Sequence, residues 1–218
     1  MTRADTNRNS AGERRPSTWS PGLKVPAHTL WLPLGSDKSL QEIGARAVLK
    51  VLGTGTPEDR LEKFARVIRT GTKSSRDRGA MMGGLIFFPD YQRLPPIATV
   101  DVFGYHADEP GKPSSLDVFR EHFGTPGTPG ADMAGPVEVT GLELPAGPAI
   151  RFHRRFLPEQ CPDPVAYHWE EVVFTVRPPQ ISDSVVVTIS WVEARFSEAL
   201  IDAADAMAPT LAINLDGA

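Results

Sequence analysis

The sequence predicts an α+β fold, in which a mostly antiparallel sheet of about six strands is flanked by N-terminal helices and a C-terminal helix. Between residues 80 and 194, segments with two-residue periodicity or β-branched composition recur, as expected of strands. Apolar residues recur at helical spacing before and after this stretch. Because no run of βαβ units occurs, we expect a layered α+β domain and not a parallel nucleotide-binding sheet.

The composition, with 218 residues, a net charge of −4 and 40% hydrophobic residues, belongs to a soluble globular protein. Residues 1–27 are polar and proline-rich and predict a disordered tail, which Trp19 could anchor near its end. Residues 28–218 are expected to form a single α+β domain. The tail shows none of the apolar character of a secretory signal, which predicts a cytoplasmic protein.

Two helices are predicted ahead of the sheet. The first covers residues 38–52, where apolar residues form one stripe and Gly53 acts as a stop. The second starts at Pro57, with Thr56 as its N-cap, and acidic residues follow in the first turn, where they favour the helix dipole. Its buried stripe includes Phe64 and Ile68.

The sheet is predicted from six segments, the last of which alternates most cleanly. There, Val187 and Ile189 point to one face and Thr188 and Ser190 to the other, as in a half-buried strand. A short amphipathic helix containing Phe123 and a Gly/Pro loop at 124–130 interrupt the series. The six strands are expected at residues 81–88, 97–105, 137–144, 148–156, 166–177 and 184–194.

The closing helix is predicted from Ser197 onward. Leu200, Ala204 and Met207 supply its buried side, and acidic residues occupy its outer side. Pro209 is expected to end or kink the helix, because proline has no amide hydrogen to donate.

This order of elements resembles the Mog1/PsbP-like α/β/α sandwich. The turn and strand at 144–151 and the strand and helix at 191–211 are similar to segments of uncharacterised actinobacterial proteins of this kind. The resemblance spans roughly residues 38–215, and the chain departs from it at Pro209 and in its long basic second helix. It implies a binding or accessory module and supplies no catalytic residue.

Two groups of basic residues are candidate partner-binding surfaces. Residues 60–78 carry seven basic and two acidic side chains, which suggests either a solvated helix face or a site for an acidic protein. Residues 151–155 carry a stripe of Arg and His on one strand face, which could pair with Glu170 and Glu171 or bind an anion. The candidate binding residues are Arg60, Lys63, Arg66, Arg69, Arg151 and Arg155.

Signs of catalysis are few. His106, Asp108 and Glu109 form a weak candidate metal site near the end of a strand, where a polar turn is the simpler interpretation. The single cysteine, Cys161, excludes an intramolecular disulfide, and no nearby residue in the sequence marks it as a nucleophile. Phosphate-loop, nucleophile-elbow and zinc-protease motifs are absent from the sequence, and no cofactor is expected.

Since the reactive side chains are scattered along the sequence, we expect a non-catalytic cytoplasmic module that binds another protein, as a chaperone or adaptor does. One alternative is a small-molecule or metal-dependent enzyme that uses the His106 group. The other is a structural subunit that self-associates through a sheet edge or the tail. The acidic net charge and the lack of interleaved aromatic residues argue against nucleic acid.

Overall fold

Ten strands and three α-helices make up the part of the chain that the structure, a computed structural model, describes. That part comprises residues 19–32, 34, 57–87, 96–106, 115–124, 131–158 and 167–215. The helices are α1 (Glu58–Asp77), α2 (Leu116–Gly124) and α3 (Ser197–Met207). The strands are β1 (Trp19–Gly22), β2 (Thr29–Leu32), β3 (Met82–Ile86), β4 (Ala98–Tyr105), β5 (Ala131–Met133), β6 (Glu138–Leu144), β7 (Gly147–Pro158), β8 (Tyr167–Val176), β9 (Ser184–Glu193) and β10 (Ala212–Leu215). The α+β class is confirmed.

The main sheet contains eight of the described strands, in the order β2-β3-β4-β9-β8-β7-β5, and β6 also pairs with β7. Every pairing is antiparallel, as predicted. All six predicted strands are present, as β3, β4 and β6 to β9. The expected number of six is too low, because β2 and β5 have only four and three residues, too few to show a periodic pattern.

The two faces of the sheet are covered differently. On the face that carries Phe174 and Ile189, which we call the closed face, α3 packs through Leu200 and Met207 into the largest apolar core. On the other face, the open face, α1 lies over β2 and β3, where Phe64 stacks on Phe87 with ring centroids 5.1 Å apart. The open face also carries α2, which packs on β7 and β8.

Part of the segment predicted to be a disordered tail belongs to the folded structure. Strand β1 pairs with β10 in a two-stranded antiparallel sheet, and Trp19 is buried with its Nε1 donating to Asp183 Oδ2 at 2.8 Å. The prediction fails for residues 19–22 because their partners lie more than 160 residues away, and no local pattern reveals such a pairing. Residues 1–18 lie outside the described residues.

The end of α3 agrees with the role predicted for Pro209. The α-helix ends at Met207, and Pro209 lies in the 3-10 turn Ala208–Thr210 that follows. The predicted helix over 38–52 and its neighbour Thr56 lie outside the described residues, as do Asp108, Glu109, Cys161 and residues 125–130. None of the helices that the structure describes is long and apolar enough to cross a membrane.

Candidate functional site

A cleft crosses the open face of the sheet between α1 and α2. It has two compartments, of about 390 Å³ and about 260 Å³, and both are lined by Arg78 and Trp169. The first compartment lies beside the C-terminal half of α1, where Gly71 and Ser74 have short side chains or none. The second lies beside α2 and includes Phe123. Because the compartments share two residues, we treat them as one continuous site and call it the cleft.

Polar side chains line the floor of the cleft. The hydroxyl oxygens of Thr99 and Ser190 lie 2.8 Å apart across β4 and β9, and Asp101 and Thr188 form the next cross-strand pair. Strand alternation explains this arrangement, since the residues that alternate with these polar positions belong to the core of the closed face. They are Val100 and Val102 on β4 and Val187 and Ile189 on β9. The polar positions of β9 were predicted from its alternation.

A buried carboxylate holds the guanidinium at the centre of the cleft. Ser75 Oγ donates to Asp101 Oδ1 at 2.6 Å, and Arg78 Nη2 donates to Asp101 Oδ2. The side chain of Asp101 is 4% exposed, whereas that of Arg78 is 42% exposed. Burial raises the pKa of Asp101 above its ordinary value, although the hydrogen bond from Ser75 and the charge of Arg78 act in the opposite direction. A Cβ at Gly83 would lie 2.9 Å from Ser75 Oγ, so glycine makes room for this contact.

A second ion pair and three aromatic rings line the other side of the cleft. Arg154 Nη2 donates to Glu171 Oε1, and the guanidinium carbon of Arg154 lies 4.8 Å from the ring centroid of Phe123 and 5.1 Å from that of Phe156. Trp169 meets Phe156 edge to face at 6.5 Å and is 41% exposed. The cleft therefore combines fixed charges with an accessible indole ring.

A separate polar cluster, the Glu170 cluster, lies on the closed face. Glu170 is fully buried, and His153 Nε2 lies 2.6 Å from its Oε1, which also accepts from Arg155 Nε at 3.0 Å. Its Oε2 accepts from Trp191 Nε1 at 3.1 Å and from the hydroxyl of Ser197. His168 Nε2 lies 3.1 Å from the same oxygen.

These contacts set the protonation of the cluster. Burial alone would raise the pKa of Glu170, but the hydrogen bonds led by that of His153 outweigh it and lower the pKa well below its ordinary value. His153 Nδ1 lies 3.1 Å from Glu138 Oε2, so both ring nitrogens face carboxylates. The hydrogen bond to Glu170 is the main cause that raises the pKa of His153 above its ordinary value. An imidazolium is the form that donates to both.

The Glu170 cluster brings together titratable side chains that are scattered along the sequence. Three basic side chains meet one carboxylate there. A carboxylate that accepts from so many donors and holds a lowered pKa is a weak proton acceptor, and its burial keeps substrate away. We therefore assign a structural role to the cluster, which joins β6, β7, β8, β9 and the start of α3.

The predicted basic residues of α1 lie along the helix. Lys63 and Arg66 are exposed and pair loosely with acidic residues one turn earlier, at 3.6 Å and 3.7 Å. Arg60 and Arg69 are half-buried. Exposed ion pairs of this kind contribute little to stability, so Lys63 and Arg66 remain accessible to a partner. Their role in partner binding stays a prediction.

The predicted stripe on β7 consists of ion pairs. Arg155 pairs with Glu170 across β7 and β8, which confirms the expected pairing of opposite charges. Arg151 donates from Nε to Asp205 Oδ1 of α3 at 2.7 Å, a contact that the sequence did not predict. Both guanidinium groups therefore hold elements of the fold together, and their role in partner binding stays a prediction.

The weak candidate metal site is described only at His106. His106 Nδ1 lies 2.9 Å from Asp183 Oδ1, and the other carboxylate oxygen of Asp183 accepts from the Trp19 indole. Asp108 and Glu109 lie outside the described residues. Within the described ranges, no group of three His, Cys, Asp or Glu side chains is placed to hold a metal ion.

Sequence reasoning missed the residues that define the cleft, which are Asp101, Arg154 and Trp169. Arg78 was noticed only as one charge in the basic stretch. A signal was present at Asp101, since a lone acidic residue between Val100 and Val102 interrupts an apolar strand. A buried acid in such a position needs a partner, but its identity depends on the strand register.

Comparison with known proteins adds little to this description. No family model matches the chain, and none of the curated proteins matches it. A solved structure, the crystal structure of LpqN involved in cell envelope biogenesis of Mycobacterium tuberculosis, is similar with a TM-score of 0.47 and 12% identity. The similarity covers 92% of this chain and 87% of LpqN. The Mog1/PsbP-like assignment that the sequence suggested stays a prediction.

Proposed function

We propose that the chain is a non-catalytic module that binds another protein, and that the cleft on the open face is its binding site. The observation that carries the proposal is the exposed Trp169, which lines both compartments beside fixed charges. Tryptophan and arginine are the residues that most often dominate the binding energy of protein interfaces. An adaptor or chaperone of the kind expected from the sequence needs such a surface.

The shape of the cleft favours a segment of protein over a small molecule. Pockets for small molecules bury most of their ligand, whereas neither compartment of this cleft is enclosed. Its two compartments share Arg78 and Trp169, so one extended segment can place a side chain in each. The exposed Tyr105 and Val192 at its border add apolar surface for a larger partner.

The chemistry of the lining supports binding over catalysis. Among the described residues that line the cleft there is no histidine or cysteine, and the three acidic residues, Asp101, Glu171 and Glu193, are each paired with an arginine. General acid–base or nucleophilic catalysis needs a group free to exchange a proton with the substrate. All three carboxylates are instead held as partners of guanidinium groups.

Site-specific photo-crosslinking tests the proposal. A benzoylphenylalanine at Ser74, on the wall of the cleft, is compared in the source cells with one at Val139, an exposed position on β6 at the edge of the sheet. We expect a discrete protein adduct from position 74 that Trp169→Ala abolishes, identified by mass spectrometry. An absence of adducts at position 74, or adducts that persist in Trp169→Ala, would contradict the proposal. An adduct with a second copy from position 139 alone would favour the structural-subunit alternative instead.

A further inference from the structure

We infer that the cleft recognises an acidic segment of the partner protein, with an Asp or Glu carboxylate bound by Arg78 and a neighbouring apolar side chain packed against Trp169. This inference rests on the proposed function and specifies the chemistry of the partner. It depends on three features of the described residues: the way Arg78 is held, the apolar surface beside it, and the charge of the helix that ends at it.

Arg78 is positioned for an anion before any partner arrives. Asp101, held by Ser75, binds Nη2 of the guanidinium and fixes its orientation from below. A guanidinium carries five N–H donors in a planar fork, so a single ion pair leaves donors for a second carboxylate. The side chain of Arg78 is 42% exposed and lies on the boundary of both compartments. Binding then costs less side-chain entropy than it would for a mobile arginine.

Apolar surface lies next to this guanidinium. Ile97 and Val192 line the same compartment as Trp169, and Val192 is 51% exposed. An indole ring packs against aliphatic and aromatic side chains, and it contributes a large contact area at low entropic cost. A carboxylate next to a Leu, Ile or Phe in the partner therefore matches the arrangement of groups in the cleft.

Long-range charge favours the same partner. Helix α1 carries six basic and four acidic residues, and Arg78 follows directly at its C-terminal end. Lys63 and Arg66 are among its most exposed side chains. The chain as a whole is acidic, with a net charge of −4, whereas α1 together with Arg78 forms a basic region that favours an acidic segment.

The test uses a library of random twelve-residue peptides displayed on phage and selected on the immobilised full chain. Enriched peptides are synthesised with a fluorescent label, and their dissociation constants are measured by anisotropy. We expect an Asp or Glu next to a Leu, Ile or Phe in the enriched set. We also expect affinity to fall at least tenfold in Arg78→Gln and in Trp169→Ala, and to weaken as salt is raised.

Two further variants keep the test decisive. Arg177→Gln removes an exposed arginine outside the cleft and is expected to change affinity less than twofold. The double variant Arg78→Gln/Asp101→Asn avoids leaving Asp101 buried without its cation, and circular dichroism confirms that it folds. If this folded double variant binds the peptides as the wild type does, the role of Arg78 is wrong.

The outcomes separate this inference from the proposed function. Enriched peptides that lack acidic residues and bind through Trp169 but independently of Arg78 would overturn the acidic partner and leave the binding module intact. Peptides whose binding ignores both Trp169 and Arg78, or no enrichment at all, would overturn both. A small molecule found in the cleft by native mass spectrometry, displaced in Trp169→Ala, would also overturn both.

Discussion

Two buried carboxylates on opposite faces of the sheet have pKa values shifted in opposite directions. Glu170, on the closed face, meets five donor groups, and burial, which would raise its pKa, is outweighed by hydrogen bonds led by that of His153, which lower it. Asp101, on the open face, meets Ser75 and Arg78, and burial raises its pKa. The two side chains are almost equally buried. Their difference therefore lies in the number of hydrogen-bond donors around them.

The comparison distinguishes Glu170, whose charge stabilises the fold, from Asp101, whose charge orients Arg78 in the cleft. The Glu170 carboxylate is stabilised by its surroundings and links several elements of the closed face. The Asp101 carboxylate is ionised at a cost, and the guanidinium that it holds stands at the centre of the cleft. Ionisable groups that a fold carries at such a cost are concentrated at functional sites. This contrast agrees with the proposal, carried by the exposed Trp169, that the open face binds a partner.

Removing the charge of Glu170 should have the largest effect on stability. Glu170→Gln leaves His153 and Arg155 without their anion, and breaking a buried ion pair from one side costs about 3–5 kcal/mol. The free energy of unfolding in urea, followed by far-UV circular dichroism, measures the loss. Glu143→Gln, at an exposed position on β6, is the control and should change stability by less than about 0.5 kcal/mol. A loss below about 1 kcal/mol in Glu170→Gln would remove the distinction between the two faces.

The second prediction concerns pH and His153. The pKa of His153 in the folded protein is raised. The stability that its charged form contributes is therefore fully present below pH 6.5 and is lost as pH rises through the raised pKa. At pH 6 we expect His153→Gln to destabilise by about 1.5–3 kcal/mol, the range for hydrogen bonds to charged groups. The difference from wild type should shrink at alkaline pH in urea titrations.

The comparison needs a matched variant at a second histidine. His122→Gln changes an exposed histidine on α2 and should leave the pH profile of stability parallel to that of the wild type. If the destabilisation of His153→Gln were independent of pH, the imidazolium between Glu138 and Glu170 would be the wrong description.

Sequence patterns predicted the strands that carry the two carboxylates but not all of the ion pairs that the carboxylates form. Alternation in β9 placed Val187 and Ile189 on one face and Thr188 and Ser190 on the other, because side-chain direction is a local property of a strand. The pairing of Arg78 with Asp101 depends on where α1 ends and on how β3 and β4 align, which no local pattern specifies. The same holds for β1 and β10, which meet across most of the chain.

The third prediction addresses the other ion pair of the open face. Arg154→Lys keeps the charge next to Glu171 but loses the planar group that lies over Phe123 and Phe156. We expect a loss of about 1–2 kcal/mol in urea unfolding, since cation–π contacts in partly desolvated positions are worth about that much. Arg177→Lys, at an exposed position, should be neutral within about 0.5 kcal/mol. Equal stability of Arg154→Lys and wild type would mean that charge alone acts at this position.

The smallest effect on stability should follow from Asp101→Asn. Because its pKa is raised, Asp101 contributes stability below pH 3.8 that is lost as pH rises through the folded pKa, so at neutral pH its ionised form is held at a cost. An asparagine avoids that cost and still accepts a hydrogen bond from Ser75, while the half-exposed Arg78 turns to solvent. We expect a change within about 1 kcal/mol at pH 7, and a flatter dependence of stability on acidic pH. The same variant should bind acidic peptides more weakly, because Arg78 loses the carboxylate that orients it. A loss of stability as large as that of Glu170→Gln would show that Asp101 is a structural charge, and the two faces would then be alike.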